Sequence, residues 1–371
     1  MKTPNTYGST ILATNPASTF ANSGAEGISR LVAVGEHLFI NNIARNYELV
    51  TPVVGPDGGL TLRRDAYHDV TSFPGQDIPS QLDLDAHGVF LRPDLGTLLV
   101  HDHHGRIRTF RYPPPSGPLQ QTAEWRLLGD SERVVMAGDR LITSSPRGQY
   151  SSDPPALGIF MAEPLPFAAA AAGDGPQQLG YQQVLADWDV VTALAVSADG
   201  GLLAVGTTGR LGVFALEADH GDVALGRCIW QHDVPFHTQW LYLQREGSLL
   251  AGGYALGAAD ADGAAWDACR GGAVSAFAVG GRLVGSVPAP EDTAWGYAGN
   301  PLVASATGDT VYAIDRGSGL HALDIRSGTF SVVAPPLPGG SLGIGHATVL
   351  GGRAYAAYTR GGFRLLAFNL D

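Results

Sequence analysis

Short runs of alternating apolar and polar residues, separated by glycine-rich turns, recur along most of the chain. Residues 191–216, VTALAVSADGGLLAVGTTGRLGVFAL, contain three such runs, divided at residues 199–201 and 207–209. Apolar side chains at every second position favour β-strands with one buried face, and the glycines between them favour tight turns. A hairpin of this kind cannot bury its own apolar face, so the pattern predicts that each unit packs against neighbouring units.

About seven units share this arrangement, which is typical of a repeat architecture. Some units match the pattern clearly and others weakly; they lie at residues 31–54, 88–112, 133–160, 191–216, 239–279, 300–325 and 345–369. A fourth, outer strand is predicted after most of them, as in residues 122–129 and 225–233. The high content of glycine (50) and proline (24) agrees with an all-β, turn-rich protein.

The repeated units resemble those of WD40-like and YVTN-like β-propellers across nearly the whole chain. The segment VSADGGLLAVGTTGRLGVFAL, residues 196–216, is similar to the strand–turn–strand core of those repeats. No unit closes its third strand with a Trp-Asp pair, and a Gly-His pair occurs only at Gly345-His346. The resemblance implies a propeller fold, most commonly used as an interaction scaffold, and implies for His346 a hydrogen bond that stabilises its blade.

We predict a single seven-bladed β-propeller of four-stranded blades, formed by residues 1–371 as one domain. The last unit ends after its third strand, whereas the first begins near Leu31 and leaves the apolar run 9–14 unassigned. We expect this run to be the outer strand of the last blade, with residues 1–27 as closing strand and lead-in. Such closure removes the exposed strand edges of an open ring.

The two rims of the predicted propeller differ in the length of their connections. The turns between first and second strands are minimal and contain Gly or Asp, and they define a short-turn rim. The connections at the opposite, long-loop rim are residues 66–87, 144–156, 181–190, 254–271 and 287–299. Long connections in a compact fold are usually functional, so we expect a ligand or partner at the long-loop rim.

Histidines are frequent in the predicted connections of the long-loop rim. His101 and His103 alternate with Asp102 at the end of a second strand, which places both imidazoles on one face. Together with His68 and His87 they form a candidate site for a divalent metal such as zinc, iron or copper. The alternative is a polar turn with exposed imidazoles.

Acidic and aromatic residues on the same rim form a second candidate site. His232 and His237, in the predicted crossover into the fifth unit, are candidate acid–base residues together with Asp187, Asp189 or Asp292. A carboxylate buried among aromatic rings has a raised pKa and can exchange protons near neutral pH. The aromatic candidates for ligand binding are Trp188, Trp295 and Tyr297. The alternative is that these rings pack over blade edges while the carboxylates remain in water.

The net charge and the cysteine content limit the kinds of partner and the cellular compartment that we expect. A formal net charge of −12 argues against nucleic acid or an anionic membrane as the main partner. Two cysteines, Cys228 and Cys269, are too few for a disulfide framework. The N-terminal residues contain no long apolar segment typical of a signal peptide. We therefore expect a cytoplasmic protein.

Two functions from different classes follow. The first, towards which we lean, is a small-molecule binding or catalytic site at the channel mouth on the long-loop rim, with metal-dependent hydrolase or lyase chemistry. The second is a WD40-like protein–protein interaction scaffold without catalysis. A deep polar pocket with converging imidazoles would favour the enzyme, and an apolar patch on a rim would favour the scaffold.

Overall fold

The computed structural model describes the strands and the short turns between them. The described residues are 9–11, 28–42, 46–56, 60–69, 86–102, 106–126, 133–138, 140–144, 157–161, 178–182, 191–216, 225–255, 273–288, 302–304, 310–314, 320–324, 327, 329–334, 345–358 and 364–369. They form 28 β-strands and one 3-10 turn, and they include no helix of the length and apolarity needed to cross a bilayer.

Consecutive strands form antiparallel four-stranded groups, which we number as blades 1 to 7; strand β1 (Ser9–Ile11) joins the last of them. Blade 1 consists of β2 (Ile28–Val34), β3 (His37–Asn42), β4 (Asn46–Val54) and β5 (Leu60–Asp69). Blade 2 consists of β6 (Ala86–Arg92), β7 (Thr97–Asp102), β8 (Arg106–Arg111) and β10 (Gln121–Arg126), while the short β9 (Gly117–Pro118) pairs in parallel with β5 of blade 1. Blade 3 consists of β11 (Val134–Ala137), β12 (Arg140–Ser144), β13 (Leu157–Met161) and β14 (Gln178–Gln182).

The remaining strands repeat the same order. Blade 4 contains β15 (Ala193–Val196), β16 (Leu202–Gly206), β17 (Thr208–Leu216) and the first part of β18 (Leu225–Leu243). Blade 5 contains the rest of β18, β19 (Leu249–Ala255), β20 (Ala273–Phe277) and β21 (Leu283–Pro288). Blade 6 contains β22 (Leu302–Ala304), β23 (Thr310–Ile314), β24 (Leu320–Asp324) and β25 (Thr329–Ala334). Blade 7 contains β26 (Gly345–Leu350), β27 (Arg353–Tyr358), β28 (Arg364–Asn369) and β1.

Blades 4 and 5 share one seven-stranded sheet because β18 belongs to both. Residues between Leu225 and His237 pair with β17, and residues from Phe236 to Leu243 pair with β19. The predicted crossover that contains His232 and His237 is therefore part of one continuous paired strand. The register shifts within β18 allow the chain to pass from the outer strand of one blade to the inner strand of the next.

The innermost strands contact one another in a cycle. The cycle runs through β2, β6, β11, β15, the second part of β18, β22 and β26, and β26 contacts β2 again. This order is that of a β-propeller around a central channel, the all-β class predicted from the repeats. Because the strands alternate in direction, the turns between third and fourth strands lie at the short-turn rim, together with the turns between first and second strands.

The N-terminal strand β1 lies at the outer edge of blade 7. It pairs antiparallel with β28, and Thr10 lies opposite Leu365. This is the position expected for the run 9–14, of which residues 12–14 lie outside the described part of the chain. The importance of this pairing for ring closure stays a prediction.

The core lies between neighbouring blades. One cluster joins blades 1 and 2 through Phe39, Tyr47 and Phe110, and another joins blades 4 and 5 through Phe236 and Phe277. Blades pack on both sides of their middle strands, so all six residues of β7 are buried. Each large apolar side chain buried in this way contributes about 1.5–3 kcal/mol to stability.

Candidate functional site

Buried polar residues lie at the long-loop ends of several inner strands. The Asn41 side-chain oxygen, at the end of β3, accepts a hydrogen bond of 2.7 Å from the Ala86 N–H at the start of β6. The Thr192 hydroxyl, just before β15, donates to the Thr238 carbonyl oxygen in β18. Each bond joins one blade to the next, so these polar residues hold neighbouring blades together where the inner strands begin.

Asp102 and Arg108 form a buried ion pair beside these bonds. Arg108 Nη1 lies 3.0 Å from Asp102 Oδ2 and 3.2 Å from the Tyr47 hydroxyl of blade 1, and Nε lies 3.3 Å from Glu124 Oε2. Asp102 Oδ1 also accepts from the Arg106 N–H. Burial opposes the charge of Arg108, but Tyr47, Asp102 and Glu124 outweigh it and raise the pKa of the guanidinium. These bonds tie the end of β7 to β8 and blade 2 to blade 1.

The predicted histidine group lies around blades 1 and 2. His101 is the penultimate residue of β7 and is buried, so it is not part of an exposed turn. His68 packs in the core between the two blades, with its ring centroid 5.8 Å from that of Tyr47 and 5.1 Å from that of Phe110. His87 lies at a register shift in β6, opposite the end of β7. The His87 side chain and His103 are outside the described residues.

No group of three His, Cys, Asp or Glu side chains that could hold a metal ion occurs among the residues described. The metal role of His68, His87, His101 and His103 therefore stays a prediction. His346, at the start of β26, is buried.

The second predicted group is divided by the structure. His232 lies in the outer strand of blade 4, where its ring stacks on Phe277 at 5.9 Å and lies beside Trp230. His237 lies at the inner end of the same strand, with Nδ1 2.7 Å from the Thr208 hydroxyl. The His232 imidazole therefore lies in the outer strand of blade 4, whereas His237 lies where β18 passes into the inner strand of blade 5. The other candidates lie outside the described residues: Asp187, Trp188, Asp189, Asp292, Trp295 and Tyr297.

Exposed apolar side chains concentrate near the short-turn rim. Among the described residues, the large apolar side chains that are exposed are Val53, Val54, Leu95, Ile229, Val279 and Leu283. All but Ile229 lie in or next to a turn of that rim. The most exposed are Val279 and Leu283, at 59% and 54%, on either side of the β20–β21 turn.

The β20–β21 turn is held in a fixed conformation. Ala278 N–H donates to the Arg282 carbonyl, and Gly281 N–H donates to the Ala278 carbonyl. Gly281 has a φ of +86° and packs so closely on the outer strand of blade 4 that an added Cβ would lie 2.8 Å from Trp230 Cγ. Exposed residues flank this contact in the sequence of both segments, and we call them together the blade 4–5 patch: Arg227, Cys228, Ile229, Val279, Arg282 and Leu283.

Sequence reasoning missed this patch because it searched the long connections. The available signal was the segment VGGRL, residues 279–283, in which apolar residues flank a glycine pair. A two-glycine turn between strands places its flanking side chains at a rim, where an apolar side chain has no core to enter.

A cavity of about 360 Å³ runs along the inner strands of blades 1 to 5. Two arginines line it, Arg30 of β2 and Arg133 just before β11, together with Gln239 of β18. The described lining residues include no carboxylate, and most of the remaining ones are apolar.

Comparison with solved structures identifies the fold. The β-propeller domain of Cps50 (Swd1) from Myceliophteria thermophila superposes with a TM-score of 0.56 at 14% identity, covering 97% of this chain and 99% of that one. Hsv2 of Kluyveromyces lactis superposes with a TM-score of 0.53 at 10% identity, covering 90% of each chain. The chain has a WD40-like β-propeller fold. No protein-family profile matches the sequence, and no curated protein matches it. At these identities the likeness shows the fold alone.

Proposed function

We propose that this WD40-like propeller is a protein-interaction scaffold and that a protein partner binds the blade 4–5 patch. The observation that carries the proposal is the pair of half-exposed side chains, Val279 and Leu283, on a turn fixed by Gly281. Exposed apolar residues scattered singly need no explanation, but these two flank one turn, and the exposed Ile229 precedes Trp230, which that turn contacts. The WD40-like fold supports the proposal because its most common use is scaffolding.

The composition of the patch suits protein recognition. Arg227 and Arg282 are exposed beside the apolar side chains, and arginine is enriched in interfaces while lysine is depleted. The turn is already ordered by its own hydrogen bonds and by the contact of Gly281 with Trp230, so binding costs little further conformational entropy. Val279 and Leu283 are the expected anchors, and the arginines would contact the polar edge of the partner.

A partner-capture experiment with matched variants tests the scaffold. The wild-type protein, Val279→Asp/Leu283→Asp and the control Val53→Asp/Val54→Asp are used to capture partners from cells that express the protein. The control changes another exposed apolar pair of the same rim, in blade 1. We expect one partner to be captured by both the wild type and the control. The amount of this partner recovered with Val279→Asp/Leu283→Asp, the blade 5 variant, should be at least tenfold lower.

The exposed thiol of Cys228 lies within the patch and reports contact directly. Alkylation of Cys228, followed by peptide mass spectrometry, should slow when the purified partner is added. A partner that the blade 5 variant retains, or a Cys228 alkylation rate that the partner leaves unchanged, would place the interaction elsewhere and overturn the proposal.

A further inference from the structure

We infer that the proline-rich connection between β8 and β10 is a docking surface for a protein domain whose binding groove is lined with aromatic side chains. The connection contains residues 113–118, PPPSGP, which we call the proline segment. It belongs to blade 2, so the inference does not rest on the blade 4–5 patch. Three features carry it: the backbone conformation that prolines impose, the exposure of the segment between two fixed ends, and a pocket beside it.

Local sterics give the start of the proline segment a polyproline II conformation. The ring of each proline fixes φ at about −65°, and a residue that precedes a proline is restricted to extended values of ψ. Pro113 and Pro114 meet both conditions, because each is followed by another proline. Polyproline II has about three residues per turn, so Pro113, Pro114 and Pro115 form one turn. Gly117, with a φ of +106°, ends this conformation.

The rings of the proline segment are presented to solvent. Pro113, Pro115 and Pro118 are exposed, and Pro114 is half-buried. Proline-rich segments in this conformation dock into the aromatic-lined grooves of SH3, WW and EVH1 domains, because their conformation is already formed before binding. The exposed turn of polyproline II therefore fits a groove of this kind.

Hydrogen bonds fix the chain on both sides of the proline segment. Before it, the Tyr112 N–H donates to the Gly96 carbonyl oxygen over 2.8 Å. After it, Leu119 is buried, and its N–H donates to the Tyr67 carbonyl oxygen of blade 1 over 2.6 Å. The segment is thus held at the surface between two blades, and a partner that binds it has little conformational freedom left to remove.

A pocket of about 420 Å³ lies beside the start of the proline segment. Its lining includes Leu95, Arg111 and Pro113. Leu95 is 36% exposed, and Arg111 is also exposed. The leucine and the proline ring offer apolar surface, and a guanidinium group stacks on aromatic rings. The pocket therefore suits an aromatic side chain from the edge of the partner's groove.

Biolayer interferometry of the intact chain against a panel of purified SH3, WW and EVH1 domains tests the inference. We expect at least one domain to bind, and we expect decaproline, a soluble polyproline II peptide, to compete with the chain for that domain. Replacing an aromatic residue in the groove of that domain by alanine should weaken binding by about tenfold or more, because buried aromatic residues contribute most to such contacts.

Variants of the chain assign the binding to blade 2. Pro115→Ala removes one exposed ring and frees ψ of Pro114, and Leu95→Ser removes an apolar side chain from the pocket. Each should weaken binding of the same domain by about tenfold. Pro56→Ala, which changes a single exposed proline of the same rim in blade 1, should bind as the wild type does.

The double variant Val279→Asp/Leu283→Asp should also bind the domain as the wild type does, which separates this surface from the blade 4–5 patch. Melting curves of all the variants show whether each is folded.

Three results would overturn the inference. They are a panel in which no domain binds, binding that Pro115→Ala leaves intact, and binding that Pro56→Ala weakens as much as Pro115→Ala does. A domain that binds the Leu95→Ser protein as tightly as the wild type would overturn the role given to the pocket.

Discussion

Arg108 Nη1 lies 3.0 Å from Asp102 Oδ2, and both side chains are removed from solvent between blades 1 and 2. Removing one partner of a buried ion pair leaves an uncompensated charge, which typically costs about 3–5 kcal/mol. We therefore expect Asp102→Ala to lower the free energy of unfolding by about that amount, measured by urea denaturation. Glu124→Gln, at the exposed side of the same arginine, should cost less than about 1 kcal/mol. Equal effects of the two substitutions would contradict the structural role assigned to Asp102.

Gly35 and Tyr112 form a close contact between blades 1 and 2. Gly35 has a φ of +58°, and a Cβ there would overlap the Tyr112 hydroxyl, which donates to the Val34 carbonyl and lies 3.0 Å from His37 Nδ1. Gly351 has the same φ and nothing within 4 Å of an added Cβ. Alanine at either position costs about 1–2 kcal/mol of backbone strain, but Gly35→Ala also displaces Tyr112.

We expect Gly35→Ala to be less stable than Gly351→Ala by about 1–3 kcal/mol, measured by thermal denaturation. If the two variants melt at the same temperature, the Tyr112 contact contributes nothing to stability.

The sequence predicts the fold well because each repeat shows its own pattern. Glycine or aspartate in the minimal turns and the alternation within each unit are local features, and the strands lie where these features place them. The ring order follows from them because each blade can bury its faces only against its neighbours.

The candidate site is harder to predict from the sequence. Which residues lie close together in the ring depends on the arrangement of the blades, and the spacing of residues along the sequence does not show it. His232 and His237 are five residues apart, yet β18 runs from the perimeter to the inner ring between them. The channel cavity is lined by Arg30 of blade 1 and by Arg133 next to blade 3, which are far apart in the sequence. Gln239 is assigned to the cavity wall by a bulge that no composition signal marks.

The Asp65 carboxylate predicts a pH dependence of stability. Burial would raise its pKa, but hydrogen bonds from the Thr51 hydroxyl and Arg63, with the charges of Arg63 and His37, outweigh burial and lower the pKa below 3.8. A carboxylate with a lowered folded-state pKa stabilises the protein fully above the unfolded value, and this contribution is lost as pH falls through the folded-state pKa.

We expect Asp65→Asn to be about 1 kcal/mol less stable than the wild type at pH 6. The difference should shrink as the pH falls below about 3.8 and the carboxylate becomes protonated. Denaturation of both proteins across this range measures it. A difference that is constant from pH 6 to pH 2.5 would show that the interaction does not depend on the charge of Asp65.

The position of β1 predicts that deleting the N-terminal residues lowers stability, and a shorter deletion that keeps the strand serves as the control. β1 is the outer strand of blade 7, and without it β28 becomes an exposed edge at the point where the first and last blades meet. Deleting residues 1–15 removes Ser9–Ile11 and their ladder to β28, whereas deleting residues 1–7 keeps that ladder. Each lost backbone hydrogen bond costs about 0.5–1.5 kcal/mol, and an unpaired edge also promotes association between molecules.

We therefore expect the longer deletion to lower the melting temperature by several degrees and to increase light scattering on heating, and the shorter deletion to do neither. Adding a synthetic peptide of residues 1–15 should restore part of the lost stability, because a separate strand can pair with the same edge. Identical melting curves for all three proteins would show that β1 is not required to close the ring. A loss of stability on deleting residues 1–7 alone would assign the stabilising contact to the segment before the strand.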